Sequence, residues 1–234
     1  MDDDTLLGQL QADLIAIQAV ALAEDADLTR PLSTCPGWSI GDLLAHLWTI
    51  QTWVRDLLRT REYADEQEPH PDPVRAVADF IDGIPDYLTA MRAITADEPC
   101  WNFGPPPRLA GFWIRRQAHE HAVHRVDVEA ALGSPSMDFT PAFAADGVDE
   151  ILSMFYPRQV RRNRVEPVTE AVQFRAGDTG QTWTLGEGDP VAIVTAPAND
   201  LYLGLWKRRE LLQVCQVDGD HAAVRSALTR AFAP

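Results

Sequence analysis

Positive charge is scarce in this chain of 234 residues, and lysine is nearly missing. Lys207 is the single one, and 20 Lys and Arg stand against 35 Asp and Glu for a formal net charge of −15. Binding a phosphate backbone needs clustered cations that release counterions, so nucleic acid is not an expected partner. Long apolar runs are also missing. None approaches the roughly 18 residues that a membrane-crossing helix needs, and no membrane partner is expected. The opening Met1-Asp2-Asp3-Asp4 is acidic and lacks the basic and then apolar regions of a secretion signal, so a cytoplasmic location is expected. The cysteines, Cys35, Cys100 and Cys215, are few, odd in number and far apart, which fits a reducing compartment and not a disulfide framework. A phosphate-cradling glycine loop, a Cys-x-x-Cys pair and a Gly-x-Ser-x-Gly elbow are all lacking, and with them the chemistries they carry. At 46 % hydrophobic residues the chain can still bury an ordinary core.

What is present divides near residues 134–140. Leu6, Leu7, Leu10, Leu14 and Ile17 recur at helical spacing and predict a first helix over 4–24. The turn Cys35-Pro36-Gly37 leads to Ser39, with Asp42 three residues on, the pattern of a capping box that starts a second helix. Ile40, Leu43, Leu44, Leu47, Ile50 and Val54 trace its buried face, and His46 sits on or beside that face. Asp72-Pro73 opens a third helix containing Phe80, Ile84, Leu88 and Met91, in which Pro85 is expected to make a kink. After an aromatic loop at 100–109, read as a possible pocket wall, a fourth helix runs from about Ala110 to Leu132 and stops at Gly133. The remainder reads as mixed α and β. A helix is expected at 141–157, strands at 170–176, 182–185, 191–195 and 212–217, and helices at 198–208 and 221–232. The expected fold class is α+β: a four-helix bundle over 1–136 and a smaller α/β domain over 137–234.

The chemistry-bearing residues gather on two of these helices. Glu120 and His124 are four apart on the fourth helix, so one face presents both. With His46 they make two imidazoles and a carboxylate, which suits a catalytic zinc ion that keeps one coordination position open. Bundle metal sites are built in this way, from facing helices that project inward. Plainer readings stand beside this one: a surface pair for Glu120 and His124, and a hydrogen-bonded core residue for His46. His121, three before His124, is an alternative ligand or a residue beside the bound cofactor. Asp127, three after His124, is placed to orient a ligand imidazole, or else to pair with Arg116 or Arg125. Cys35 before a helix start is a candidate nucleophile, against the simpler reading of a small residue in a turn. His70 and His221 read as solvated surface residues.

These residues also carry a resemblance. Cys35-Pro36-Gly37-Trp38-Ser39, Asp42-Leu43-Leu44-Ala45-His46-Leu47, Arg115 to Glu120 and Val123-His124-Arg125-Val126-Asp127 together resemble the mycothiol-dependent maleylpyruvate isomerase family, whose N-terminal half is a DinB-like metal-binding bundle. The segment Asp200 to Arg209 is similar to that family's smaller C-terminal domain. The resemblance places the metal ligands on His46, Glu120 and His124. It implies a divalent metal, zinc by preference, and mycothiol as thiol cosubstrate. The implied reaction is cis-trans isomerisation of a maleylpyruvate-like acid, or transfer of the thiol to an electrophile. Arg208 and Arg209 are then candidates for holding the substrate carboxylate. The expected partners are a small thiol and an unsaturated or electrophilic acid, met by a monomer or weak homodimer. Two other functions stay open: a metal-binding regulatory protein without turnover, and a zinc hydrolase in which the metal activates water.

Overall fold

The computed structural model of the chain describes residues 1–65, 68–134 and 138–233. The chain forms two compact units, Asp2–Ser136 and Met137–Pro234, the second including Met1. The boundary expected between 136 and 137 lies outside the described residues.

The first unit holds α1 (Asp3–Ala21), α2 (Ile40–Thr60), α3 (Pro73–Arg92) and α4 (Gly111–Ala131). α1 packs on α4 and α2 on α3, with α2 also meeting α4. The helix ends follow from their residues. Asp2 accepts a bond from the Thr5 N–H at 2.8 Å to cap α1. At α2 the capping box is complete: Ser39 Oγ accepts from Asp42 N at 3.2 Å and Asp42 Oδ2 accepts from Ser39 N at 2.8 Å. α4 ends at Gly133, whose φ of 68° only glycine adopts without cost, and the Ser134 N–H closes the end onto the Glu129 carbonyl at 3.0 Å. α3 runs on through Pro85.

Helices α1, α2 and α3 bury the expected stripes, with Leu10, Leu14, Leu43, Leu44, Leu47, Phe80 and Met91 inaccessible. α4 differs. It is buried on most of its surface, yet Arg116, Gln117, His119, His121, Arg125 and Asp127 are among its buried residues. Each buried polar group must find a partner or cost stability, so α4 determines where its neighbours place theirs. The aromatic loop packs into the unit instead of standing open: Trp101 and Phe103 lie against Trp113, whose Nε1–H donates to the Trp101 carbonyl at 2.9 Å.

The second unit begins with α5 (Pro141–Asp149), which passes through a π-helical stretch (Glu150–Phe155) into α6 (Tyr156–Arg161). One continuous helix was expected here. Pro157 in the first turn of α6 cannot donate to the preceding turn, and the wider π turn lies just upstream. A four-stranded sheet follows in the order β2-β1-β3-β4, from β1 (Val172–Ala176), β2 (Thr182–Leu185), β3 (Ala192–Ala196) and β4 (Gln216–Gly219). β1 and β3 are parallel, and the two outer strands pair antiparallel to them. α7 (Ala198–Leu205) packs close to α5: a side chain at Gly147 would clash with the Tyr202 ring. A short helix α8 (Leu211–Val214) precedes β4, and α9 (His221–Leu228) follows it. The strand expected at 212–217 is therefore corrected. Leu211 alone is buried, against Gly204 of α7, while Leu212 and Val214 face solvent, so 211–214 forms a helical turn and only the residues from Gln216 pair with β3. Among the described residues no helix is long and apolar enough to cross a membrane.

One buried charge cluster ties α1 to α4. Asp13 is fully buried; its Oδ1 accepts from Arg125 Nη1 at 2.7 Å and from Gln9 Nε2 at 2.9 Å, while Arg125 Nε lies 3.3 Å from Glu129 Oε1. Burial raises the Asp13 carboxyl to about 7, against the opposing charge of Arg125 and the Gln9 bond, with Glu129 adding to the rise. An unfolded aspartate titrates near 4, so between pH 4 and 7 the folded chain binds the extra proton. Stability from this group is thus fully present below pH 4 and declines as pH rises to 7, by a few kcal/mol at most at about 1.4 kcal/mol per pH unit. Asp13→Asn is expected to flatten the dependence of thermal midpoint on pH across this range, and an unchanged slope would contradict the assignment.

Candidate metal centre

The turn before α2 and the middle of α4 place the site, and both lie in the first unit. Trp38 N–H donates to the Cys35 carbonyl at 3.0 Å, with Pro36 and Gly37 between. Proline at the second position and a glycine at φ 88° at the third are what a type II turn requires. The chain is then pinned to the strand-like segment before it, Leu32 N–H donating to the Trp38 carbonyl at 2.8 Å. This turn aims Cys35 at α4 and lays the Trp38 ring beside His46, with centroids 5.0 Å apart. One turn and a half later on α2, His46 faces α4.

Three donors meet between the helices. Glu120 Oε1 lies 3.3 Å from His46 Nε2 and 3.4 Å from His124 Nε2, and the two imidazole rings stand edge to face at 5.4 Å. One donor atom from each of the three residues lies within 4.8 Å of the others. Two imidazole nitrogens and one carboxylate oxygen in such a cluster suit zinc and its neighbours among the divalent transition metals. The side chains keep 26 %, 19 % and 12 % of their exposure for His46, Glu120 and His124, so the cluster is not sealed from solvent.

Behind these three, further residues hold them. Arg116, almost fully buried and one turn before Glu120, donates through Nη2 to Glu120 Oε2 at 2.8 Å. Burial alone would raise the Glu120 carboxyl, but the bonds from His124 and His46 and the charge of Arg116 outweigh it and hold it well below the usual carboxylate range. His124 turns its other nitrogen, Nδ1, to Asp127 Oδ2 at 2.9 Å. Burial disfavours the imidazolium of His124, yet the bonds to Asp127 and Glu120 prevail and raise it to about 9. A site with this much negative character attracts a cation, whether a proton or a metal.

His121 is placed elsewhere. Its Nδ1–H donates to the Gln117 carbonyl at 2.8 Å, which leaves Nε2 to accept from Gln51 at 3.1 Å. The ring is fully buried, and burial lowers its pKa to about 4, so it is a neutral core histidine with both nitrogens occupied. Tyr87 extends this polar seam by donating to Gln117 Oε1 at 2.8 Å. Asp127 Oδ2 meets His124 Nδ1, while Arg116 reaches Glu120 and Arg125 reaches Asp13. Cys35, weighed as a residue of a turn, donates from Sγ to Asp127 Oδ2 at 3.4 Å, and Cys35, His124 and Asp127 form a second donor group that shares His124 with the first. The sequence reading named Arg116 only as a possible partner of Asp127 and gave Trp38 no role at the site; the i,i+4 spacing of Arg116 and Glu120 was the available signal.

Arg208 and Arg209 belong to the second unit. Arg208 Nη1 donates to the Trp206 carbonyl at 2.7 Å, and Arg209 is paired with Asp200 and, at 3.7 Å, with Asp138. His221 is exposed at the start of α9. His70 is not a solvated residue: its side chain is 6 % exposed, its Nδ1 accepts from Asp72 N at 2.9 Å, its Nε2 meets Asp79 at 2.9 Å, and its ring packs on Trp48. It joins the start of α3 to α2.

Comparison with known proteins agrees with this architecture. No curated protein matches the chain in sequence. Among solved structures, the mycothiol-dependent maleylpyruvate isomerase superposes with a TM-score of 0.67 at 13 % identity, over 94 % of this chain and 95 % of that one. A variant of that enzyme with a histidine replaced by alanine gives 0.66 at 11 % identity, with the same coverage of 94 % and 95 %. Identities this low speak for the shared fold. Residues 11–129 match the mycothiol maleylpyruvate isomerase N-terminal domain, and residues 142–226 match the C-terminal domain that follows it in these proteins. On the strength of both domains in order, the chain belongs to the mycothiol maleylpyruvate isomerase family.

Proposed function

We propose that this protein is a metal-dependent enzyme in which His46, Glu120 and His124 hold a divalent ion, zinc by preference, and a small thiol, mycothiol, acts on an unsaturated or electrophilic acid. The observation that carries the reading is the convergence of His46 Nε2, Glu120 Oε1 and His124 Nε2 from two helices at an accessible point. Bound there, the ion would acidify a thiol so that the nucleophilic thiolate exists at neutral pH. For an isomerase, addition of that thiolate to a conjugated cis double bond leaves a single bond free to rotate, and expulsion of the same thiolate restores the double bond in the trans form. The thiol is recovered and no other atom is exchanged. For a transferase the carbon–sulfur bond persists and a leaving group departs.

The chain's own residues supply the rest. Asp127 fixes the orientation of the His124 ring, so that Nε2 faces the cluster. His121 serves the packing between α2 and α4 beneath Glu120, not contact with the thiol. Trp38 supplies an apolar wall beside His46. Arg208 and Arg209 are proposed to hold a substrate carboxylate on the family resemblance alone. A second reading rests on Cys35: recruited as a further ligand through its place beside His124 and Asp127, it would close the metal shell and favour a sensor without turnover.

Purified without chelator, the wild-type protein is expected to carry close to one metal ion per chain by elemental analysis. Folded His46→Ala, Glu120→Ala and His124→Ala variants are each expected to lose it. A wild type that takes up no metal even when given zinc would remove the ligand assignment. With metal bound, mycothiol is expected to support isomerisation of a cis unsaturated keto acid, and turnover of an ester without any thiol would point to the hydrolase instead.

Loading also tests the electrostatics. Because Asp127 and Glu120 raise His124 to about 9, zinc must displace a proton near neutral pH. Calorimetry in buffers of differing ionisation enthalpy is expected to show about one proton released per zinc at pH 7, and affinity that rises with pH until His124 is deprotonated. Zinc uptake with no proton release would contradict the arrangement.

A further inference from the structure

The carboxylate of Glu120 is divided between two tasks. Oε1 faces both imidazoles, at 3.3 and 3.4 Å, whereas Oε2 points back along α4 to the guanidinium of Arg116 at 2.8 Å. Arg116 is 3 % exposed and one helical turn away, so its approach to Oε2 comes from the interior and cannot be replaced by solvent. A carboxylate with both oxygens unclaimed can chelate a divalent ion through both. Here the second oxygen already accepts a charge-assisted bond.

We propose that Arg116 is a positioning residue that makes Glu120 a one-oxygen ligand and so keeps coordination space for the thiol and its substrate. The inference rests on the metal reading above and goes beyond it. It concerns how many places the protein leaves open, which the identity of the three ligands does not decide. With Glu120 chelating, one more position would be consumed and an incoming thiol would compete with Oε2 for the ion. With Oε2 held by Arg116, the protein contributes two nitrogens and one oxygen only. A lysine is a compact point charge without a planar fork, yet at this distance along a helix its ammonium can still engage Oε2.

The test uses cobalt(II) in the full-length protein, because its visible absorption weakens as coordination number rises, with 2-mercaptoethanol as the thiol probe and its sulfur-to-cobalt charge-transfer band as readout. Arg116→Met removes the donor while filling the same buried space, and Arg116→Lys retains a cation. The Met variant is expected to show weaker visible bands than wild type and to need about tenfold more thiol to develop the charge-transfer band, in the range that loss of an outer partner of a ligand produces. The Lys variant is expected to recover most of both signals. A folded Met variant with one cobalt ion and with spectrum and thiol titration identical to wild type overturns the proposal. Should the Met variant not fold, a zinc-loaded crystal structure of the unaltered protein decides: one Glu120 oxygen on the ion with Oε2 on Arg116 supports it, and a chelating Glu120 overturns it. A wild type that binds no cobalt or zinc overturns the underlying metal reading, a result distinct from metal bound through both Glu120 oxygens.

Discussion

The Glu120 carboxylate, charged and largely withdrawn from water, is the constraint on which the first unit depends. An ionised carboxylate in such a place is costly unless every oxygen is met by a partner that favours the charge. Arg116 meets one oxygen; His46 and His124 meet the other. Since His46 comes from α2 and the other three from α4, the same contacts that hold the charge also hold the two helices in register. The cost of burying Glu120 is thereby linked to the geometry that makes a metal site possible, and a helix slipped by one residue would lose both.

This logic extends outward through α4. A helix buried on most sides is ordinarily apolar. α4 instead carries Arg116, Gln117, His121, Arg125 and Asp127 inside the unit, and each has its partner on a different neighbour or turn. Gln51 of α2 and Tyr87 of α3 complete the seam with Gln117 and His121, Asp13 of α1 receives Arg125, and Asp127 divides its Oδ2 between His124 and Cys35. Polar contacts of this kind select one helix arrangement where apolar packing would tolerate several. The histidines illustrate how environment decides chemistry: His121 and His124, three residues apart, are pushed in opposite directions, one neutral between two amides and the other favoured as a cation between two carboxylates.

The elements legible in the sequence were those whose signals are local. Ser39 with Asp42, Asp72 with Pro73, and Gly133 each mark a helix end by bonds made within a few residues, and the structure has them there. The spacing of Glu120 and His124 was legible for the same reason, since helical geometry alone puts them on one face. What was not legible depends on partners far away in the chain. Residues 212–217 read as a strand, yet 211–214 form a helical turn in which Leu211 packs on Gly204. His70 looks like a loop residue until Asp79 and Trp48 enclose it. The aromatic loop at 100–109 reads as a pocket wall because aromatic residues near a bend suit either role, and its rings pack on Trp113, while the ring beside the donor cluster is Trp38 from the turn 65 residues earlier than Phe103.

An open metal site that accepts an outside thiol can be examined by X-ray absorption at the zinc edge, recorded on the zinc-loaded protein before and after mycothiol is added. A shell of nitrogen and oxygen with the signature of two imidazoles is expected, to which one sulfur at about 2.3 Å is added with the thiol. A sulfur present before addition and lost in Cys35→Ser, or a shell that mycothiol leaves unchanged, would contradict it.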